Sequence, residues 1–153
     1  MKGGEKMLIG EYSNKVGEKN RLALPKKFRK EIGSKVIVTR GYEDCVIVVN
    51  ESQWKNLLSV FDDKPFTTSP VRDTRRFLIG GASEVNLDSQ GRFVLPAHLK
   101  EFAGVTKEVV CVGLVDWVEI WSKEQWEKRL EKIKPNASKI AEELQKSNEK
   151  SSN

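Results

Sequence analysis

Histidine and cysteine are scarce in this sequence, and their scarcity argues against the commonest metal sites. The 153 residues contain one histidine, His98, and two widely separated cysteines, Cys45 and Cys111. A structural zinc ion needs about four such ligands close together. We therefore expect no bound metal and no cofactor, and we interpret His98 as a structural or surface residue. Because both cysteines lie in apolar, strand-like runs, they are predicted to be reduced core residues of a cytosolic protein.

Long apolar segments and catalytic motifs are also missing. No stretch approaches the ~20 apolar residues of a membrane-spanning helix, and the opening "MKGGEKMLIGEY" lacks the apolar core of a secretory signal. The segment "IGGAS" has neither the lysine nor the spacing of a phosphate-binding loop, and no nucleophile-elbow motif occurs. The adjacent pair Asp62 and Asp63 is typical of a loop. We therefore expect a cytoplasmic protein that is not an enzyme, with no membrane association and no small-molecule substrate.

A repeated phrase is the most informative feature of the chain. "NRLALPKKF" at residues 20–28 and "GRFVLPAHL" at residues 91–99 share the pattern Arg-x-x-Leu-Pro at an offset of 71. One inserted residue then shifts the offset to 72, so that "CVIVVNESQW" at residues 45–54 aligns with "WVEIWSKEQW" at residues 117–126. The sequence therefore predicts two half-domains of the same design, one after the other.

Each copy predicts the same order of elements. A short strand is followed by a helix that a proline opens and a glycine, Gly33 or Gly104, ends. Two strands rich in β-branched residues come next, and a longer helix follows, which Asn50 and Gln53 start with a capping box in the first copy. Each half, β-α-β-β-α, is too small to bury a good core alone. We predict an α+β, mainly β fold in which the two halves pair about a pseudo-twofold axis.

Composition and turn signals divide the chain into four predicted segments. In the linker, Ser69 caps a short helix over residues 72–78, and two glycines end that helix before a strand at residues 83–87. In the tail, Asn136 is expected to cap a last helix, and the polar end is expected to fray. The segments are a first repeat, a linker with a short helix, a second repeat and a polar tail, at residues 7–60, 61–82, 83–134 and 135–153.

Positive charge is concentrated in the first copy. Residues 1–58 hold 12 Lys and Arg against 7 Asp and Glu, whereas the remaining 95 residues hold 15 of each, so the first copy accounts for the whole net charge of +5. Within it, residues 18–35 carry seven bases and two acids, against three bases and one acid at residues 89–107. This asymmetry suggests that one copy contacts an anion and that the other mainly builds structure.

Two interpretations of the basic stretch stay open at this point. It can be a solvated surface, which is the ordinary role of a run of charges. It can also contact nucleic acid, because its bases flank a turn and a helix start and combine Lys with Arg, the mixture that binds phosphates and guanine edges. The four tryptophans have the spacing of core or interface positions, so we do not expect them to form a base-stacking platform.

Several motifs resemble those of one known family. The run from Asp88 to Arg92, followed by Phe-Val-Leu-Pro, resembles the D-x-x-G-R-(apolar)₃-P signature of MraZ proteins. "GEYSNKVGEKNRLALPKKFR" resembles the first copy of that family, "RDTRRFLIGGA" its linker and "VEIWSKEQWE" its last strand and helix. The similarity covers residues 7–130, with both repeats in order. In the first copy, the family's D-x-K-G-R run is altered, because Gly17 replaces the aspartate and Asn20 replaces the glycine.

The resemblance implies a fold and a function. MraZ proteins belong to the AbrB-like, swapped-hairpin β-barrel group, so two repeats are expected to form one pseudo-dimeric barrel. The family assembles into rings that bind short direct DNA repeats upstream of the bacterial division and cell-wall gene cluster. We therefore expect a transcriptional repressor that forms a homo-oligomer, binds double-stranded promoter DNA and associates with the nucleoid. The alternative is an AbrB-like antitoxin or transition-state regulator that binds DNA and a protein partner.

The resemblance also assigns site residues. The arginine of the first copy, Arg21, is implied to be the main DNA contact, and the charge asymmetry favours the same copy. We predict that Arg92 is structural and paired with Asp88 in the intact motif, in which Gly91 makes the turn. The predicted DNA-binding residues are Lys19, Arg21, Lys26, Lys27 and Arg29.

Overall fold

The computed structural model describes residues 7–152, and the side chains of residues 7–149. The first six residues, part of the opening that we interpret as lacking a secretory signal, are outside the described range. The strands of the described chain are β1 (Leu8–Lys15), β2 (Arg21–Ala23), β3 (Lys35–Arg40), β4 (Val46–Val49), β5 (Ser83–Asn86), β6 (Arg92–Val94), β7 (Glu108–Val115) and β8 (Val118–Ser122). Its α-helices are α1 (Lys26–Ile32), α2 (Glu51–Leu58), α3 (Ser69–Leu78), α4 (Ala97–Phe102), α5 (Lys123–Ile133) and α6 (Ala137–Ser152).

The strands form two antiparallel sheets within the first of two compact units, which ends at Lys123. One sheet has six strands in the order β1-β7-β8-β4-β3-β5, and the other, here called the ribbon, consists of β2 and β6. The equivalent strands of the two copies are β1 and β5, β3 and β7, and β4 and β8. When the members of each pair are exchanged, the same six-strand order is read in reverse. The expected α+β fold with two tandem halves is therefore confirmed, while closure into a barrel stays a prediction.

The strand registers repeat the same pseudo-twofold relation. In the ribbon, Arg21 pairs with Val94 and Ala23 with Arg92, so the ribbon is symmetric about the pair of Leu22 and Phe93. The two halves meet again where β4 pairs with β8, and that pairing is symmetric about Ile47 and Glu119. Because the two copies exchange hydrogen bonds along both pairings, neither half completes its sheet alone.

The registers also correct the predicted alignment of the copies. Thr39 pairs with Ile47 in the first copy, and the equivalent pair in the second copy is Val112 with Glu119. The offset is 73 for β3 and β7 (112 − 39) and 72 for β4 and β8 (119 − 47). Two residues are therefore inserted before β7, and the turn that follows β7 is one residue shorter. Sequence comparison saw only the net change of one, because the strands before the turn share little beyond valines.

The core draws equivalent residues from both copies. Leu24 and Leu95 are fully buried, as are Phe28 of α1 and Leu99 of α4. Tyr12 contributes from β1, with its ring edge against the ring of Phe28 at 5.0 Å between centroids. Burying each large apolar side chain contributes about 1.5–3 kcal/mol, so the leucine of the repeated Arg-x-x-Leu-Pro phrase is explained as a core residue in both copies.

The predicted capping box of α2 is confirmed, whereas the predicted start of the linker helix is corrected. The Asn50 side chain accepts a hydrogen bond from the Gln53 backbone, and the Gln53 side chain accepts one from the Asn50 backbone, which completes the predicted capping box. Helix α3 begins three residues earlier than predicted, and Thr68, not Ser69, occupies its N-cap position. Strand β1 was not predicted, because its outward positions are polar and it lies at a sheet edge, where only one side of the strand is paired.

The second compact unit begins at Glu124 and is helical over its described residues. Fraying of the polar end stays a prediction, and helix α6 runs to Ser152. Its alanines, glutamates, lysines and leucine favour a helix even where little is buried. Asn136 does not cap α6 as predicted: it lies in a 3₁₀ turn, and its amide donates back to the Lys132 carbonyl. In the described chain, no helix combines the length and the hydrophobicity that a bilayer crossing requires.

Candidate nucleic-acid interface

The ribbon presents both motif arginines on one exposed face. Leu22 and Phe93 are buried beneath it, and side chains alternate along a strand, so Arg21 and Arg92 point outward. Val94, the pairing partner of Arg21, shares this outer face and is 53% exposed. The two arginines therefore lie on one side of the ribbon, diagonally across its two strands.

The turn that precedes Arg92, here called the second turn (residues 88–92), is held by a carboxylate. Asp88 Oδ1 accepts hydrogen bonds from the backbone amides of Gln90 and Arg92, at 2.8 and 2.9 Å. Its Oδ2 accepts a third from Arg92 Nε at 2.8 Å. The Arg92 amide, followed by the Arg92 guanidinium, lowers the pKa of Asp88 to about 2. The Arg92 guanidinium therefore already has an anionic partner within its own turn.

The equivalent turn of the first copy, here called the first turn (residues 17–21), is closed by the same backbone hydrogen bond but lacks the carboxylate. The Gly17 amide donates to the Arg21 carbonyl at 2.8 Å, as the Asp88 amide donates to the Arg92 carbonyl at 3.0 Å. Glycine offers no acceptor in place of Asp88, and Glu18 does not substitute for it. Among residues 7–149, the structure gives the exposed Arg21 guanidinium no hydrogen bond or ion pair. The Arg21 guanidinium is thus available to an external anion.

The remaining predicted DNA-binding residues lie close to the first turn in the chain. Lys19 is exposed at the top of the turn with φ 57°, and Lys26 and Lys27 are exposed in the first turn of α1. Arg29 differs, because it is half-buried and its side chain lies against the second turn. A Cβ placed on Gly91 would come within 2.5 Å of Arg29 Cδ.

Each turn is in fact contacted by the helix of the other copy, which sequence reasoning did not anticipate. Lys100 of α4 donates from Nζ to Asn20 Oδ1 in the first turn at 3.0 Å. The backbones of the two copies are also hydrogen-bonded to each other: the Leu95 amide donates to the Asn20 carbonyl, and the Leu24 amide donates to the Gly91 carbonyl. Arg29 and Lys100 are 71 residues apart, the repeat offset, which could have indicated equivalent roles. Nothing in the sequence indicated that each helix contacts the opposite turn.

The basic residues of the linker helix α3 are engaged locally, unlike Arg21. Arg72 donates to the carbonyls of Phe66 and Thr67, and Arg76 forms an ion pair with Asp73 at 2.7 Å. Arg75 lies over the ring of Phe61. The bases of α3 therefore differ from Arg21, whose exposed guanidinium has no such partner among residues 7–149.

Other candidate sites have structural explanations. Trp121 is buried and donates from its indole to Glu119, so it offers no stacking surface. His98 Nε2 lies 2.9 Å from the Gly81 carbonyl. Cys45 and Cys111 are free and buried, as the sequence predicted. In the described part of the chain, His, Cys, Asp and Glu do not gather into a group of three that could hold a metal ion.

Comparison with known proteins gives a consistent result over both repeats. A family model described as "MraZ protein, putative antitoxin-like" matches residues 7–77 and again residues 78–148. A protein of Syntrophomonas wolfei named transcriptional regulator MraZ is 40% identical over 138 residues, which is 90% of this chain and 96% of that protein. Proteins of the same name from Caldanaerobacter subterraneus and Heliobacterium modesticaldum are 38% and 39% identical over the same shares. The chain belongs to the MraZ family.

Proposed function

We propose that this protein is a transcriptional regulator that binds double-stranded DNA through its first copy. The observation that carries the proposal is the difference between two equivalent arginines. Arg92 is paired with Asp88, whereas Arg21 is exposed and Gly17 stands where its carboxylate partner would be. The names of the relatives, each called a transcriptional regulator, support the same function.

The shape of the site suits DNA. A two-stranded antiparallel ribbon fits the major groove of B-DNA, where an arginine can bond to both acceptors of a guanine edge. Arg21 projects from such a ribbon and is the proposed base contact. Lys19, Lys26 and Lys27, with Arg29 beside the second turn, are the proposed phosphate contacts, which position the protein without selecting a sequence.

One chain offers one such site, so tight binding requires several chains. We propose that the protein assembles into a homo-oligomeric ring and binds short direct repeats upstream of the division and cell-wall gene cluster. Linked sites raise the effective concentration of each further contact, so overall avidity can exceed the affinity of one site by factors of about 10²–10⁴. In this role the protein acts as a repressor in the cytoplasm, at the nucleoid.

A gel mobility shift on the DNA upstream of the protein's own gene tests the proposal. We expect wild type to retard this DNA at low salt, with affinity falling steeply as salt rises, because bound lysines and arginines displace counterions. Arg21→Ala should weaken retardation strongly, whereas Lys107→Ala, which removes one exposed charge from the second copy, should have a small effect. Retardation that does not depend on Arg21 would overturn the assignment of the site, and no retardation by wild type would overturn DNA binding.

A second candidate is an antitoxin that binds a protein partner as well as DNA. It is favoured by the "antitoxin-like" wording of the matching family description. Co-purification of a small protein encoded beside this one, followed by relief of that protein's toxicity, would support the antitoxin. Recovery of the chain alone from its native host would count against it.

A further inference from the structure

We propose that Lys100 of the second copy is a positioning residue for the DNA-contacting turn of the first copy. Its ammonium acts on DNA binding through Asn20, without touching DNA. This inference rests on the proposed function, because it assigns a role to a residue behind the proposed DNA site. With this role, Lys100 makes the second copy a contributor to DNA recognition.

The contact that carries the proposal spans the two copies. Lys100 Nζ donates to Asn20 Oδ1 at 3.0 Å across 80 positions of the chain, and both residues are half-buried. The backbone amide of Leu95, which lies between β6 and α4 of the second copy, donates to the Asn20 carbonyl at 2.8 Å. The side chain and the backbone of Asn20 are thus both held by the second copy.

The first turn needs such support more than the second turn does. Lys19 and Asn20 both have positive φ, 57° and 60°, which costs a non-glycine residue about 1 kcal/mol or more. The second turn has Gly91 at the equivalent strained position and Asp88 to fasten it. In the first turn the aspartate is missing, and the hydrogen bond from Lys100 holds the Asn20 side chain instead.

The equivalent contact on the other side of the pseudo-twofold axis has a different chemistry. Arg29 occupies the position of Lys100 and packs against Gly91, where a Cβ would come within 2.8 Å of its Nη1. A glycine offers Arg29 no side-chain acceptor, whereas Asn20 offers Lys100 an amide oxygen. The first turn is therefore held by a hydrogen bond, and the second turn is held by close packing together with its own carboxylate.

The burial of Lys100 also distinguishes it from two of the proposed phosphate contacts, Lys26 and Lys27. Lys26 and Lys27 are exposed, whereas Lys100 is half-buried with its ammonium already bonded. The bond to the neutral Asn20 amide leaves the charge of Lys100 in place, but it restricts where the neighbouring Lys19 and Arg21 can lie. We expect its loss to act through the geometry of the first turn.

A double-mutant cycle on DNA binding distinguishes a positioning role of Lys100 from a direct contact between Lys100 and DNA. Lys100→Met keeps the side-chain length and the helix propensity, and Asn20→Gly removes the acceptor while tolerating positive φ. We expect Lys100→Met to weaken binding to the upstream DNA about threefold to tenfold in the wild-type background, and less than about twofold in Asn20→Gly. Lys100→Arg, which keeps a donor, should restore much of the affinity, and Lys107→Met is the matched control. Equal losses in both backgrounds would show a direct contact and overturn the proposal.

Amide hydrogen exchange without DNA tests the positioning separately. Loss of the Lys100 bond should speed exchange of the Leu95 amide and of the amides in residues 17–21, while residues 88–92 exchange as in wild type. Unchanged exchange in the first turn would overturn the proposal whatever the DNA results. If wild type failed to bind DNA, the proposed function would fall, and the exchange rates would still decide whether Lys100 holds the turn.

Discussion

Because Arg29 lies close to Gly91, the addition of a single methyl group at residue 91 should lower the stability of the protein by a measurable amount. Gly91→Ala places a Cβ 2.5 Å from Arg29 Cδ and 2.8 Å from Nη1, at a residue with φ 76°. Gly104→Ala is the matched control, because Gly104 also has positive φ, 65°, but nothing lies within 4 Å of its Cβ position. The two variants share the conformational cost of an alanine at positive φ and differ in the crowding.

The expected loss of stability follows from these two terms. An alanine at positive φ costs about 1–2 kcal/mol, and this is the whole expected effect of Gly104→Ala. The crowding falls on the outer atoms of the flexible Arg29 side chain, so moving them away from a preferred rotamer adds about 0.5–1.5 kcal/mol, and Gly91→Ala should lose about 1.5–3.5 kcal/mol in total. In a chain of this length, each 1 kcal/mol lowers Tm by about 2–4 °C. The melting temperature of Gly91→Ala should therefore lie clearly below that of Gly104→Ala.

Urea denaturation of the two variants, with and without Arg29→Ala, measures the crowding directly. Removing the Arg29 side chain should make room for the new methyl group, so Gly91→Ala should cost no more than Gly104→Ala in that background. Equal losses for Gly91→Ala and Gly104→Ala with Arg29 present would refute the inference that Arg29 is held against the second turn.

Three further predictions test other parts of the account. Because the pKa of Asp88 is lowered, its carboxylate stabilises the second turn at pH values above 3.8, and this stabilisation is lost as the pH falls toward 2. An NMR titration of Asp88 should give a midpoint near 2, and Arg92→Ala should raise that midpoint. A midpoint that Arg92→Ala leaves unchanged would contradict the pairing of Asp88 with Arg92. Burial raises the pKa of the Cys111 thiol to about 12 and also raises that of Cys45, so a thiol reagent at pH 8 should modify the native protein far more slowly than the denatured chain. Asn50→Ala should lower the free energy of unfolding by about 1 kcal/mol through loss of the capping box, against almost no change for Ser52→Ala on the exposed side of α2.

The repeat, the element order and the core were predictable from the sequence because each rests on local signals. The Arg-x-x-Leu-Pro phrase predicted the strand and helix of each copy, and Asn50 with Gln53 predicted the start of α2. These signals depend on residues a few positions apart. The residues themselves predicted only that the two halves pair, and the swapped arrangement was implied by the family resemblance. The strand register was not predictable, since it is set by partners about 70 residues away, such as Leu22 and Phe93.

The candidate site was predictable only in part, for the same physical reason. The loss of the aspartate at Gly17 could be read directly from the motif and indicated an arginine without its partner. The hydrogen bond between Lys100 and Asn20 could not be predicted, because the motif does not show that the helix of one copy lies against the turn of the other. Strand β1 was missed because an edge strand with one polar side lacks the apolar run that predicted its neighbours.

The two copies should differ in their contribution to DNA binding, and a comparison of the two motif arginines measures that difference. Fluorescence anisotropy would measure the affinity of wild type, Arg21→Ala and Arg92→Ala for the upstream DNA at one salt concentration. Loss of an arginine contact to a base costs about 1–3 kcal/mol, so Arg21→Ala should weaken binding by about fivefold to more than a hundredfold. Arg92→Ala, whose arginine is already paired with Asp88, should weaken it by much less. Equal losses, or a larger loss for Arg92→Ala, would contradict the account.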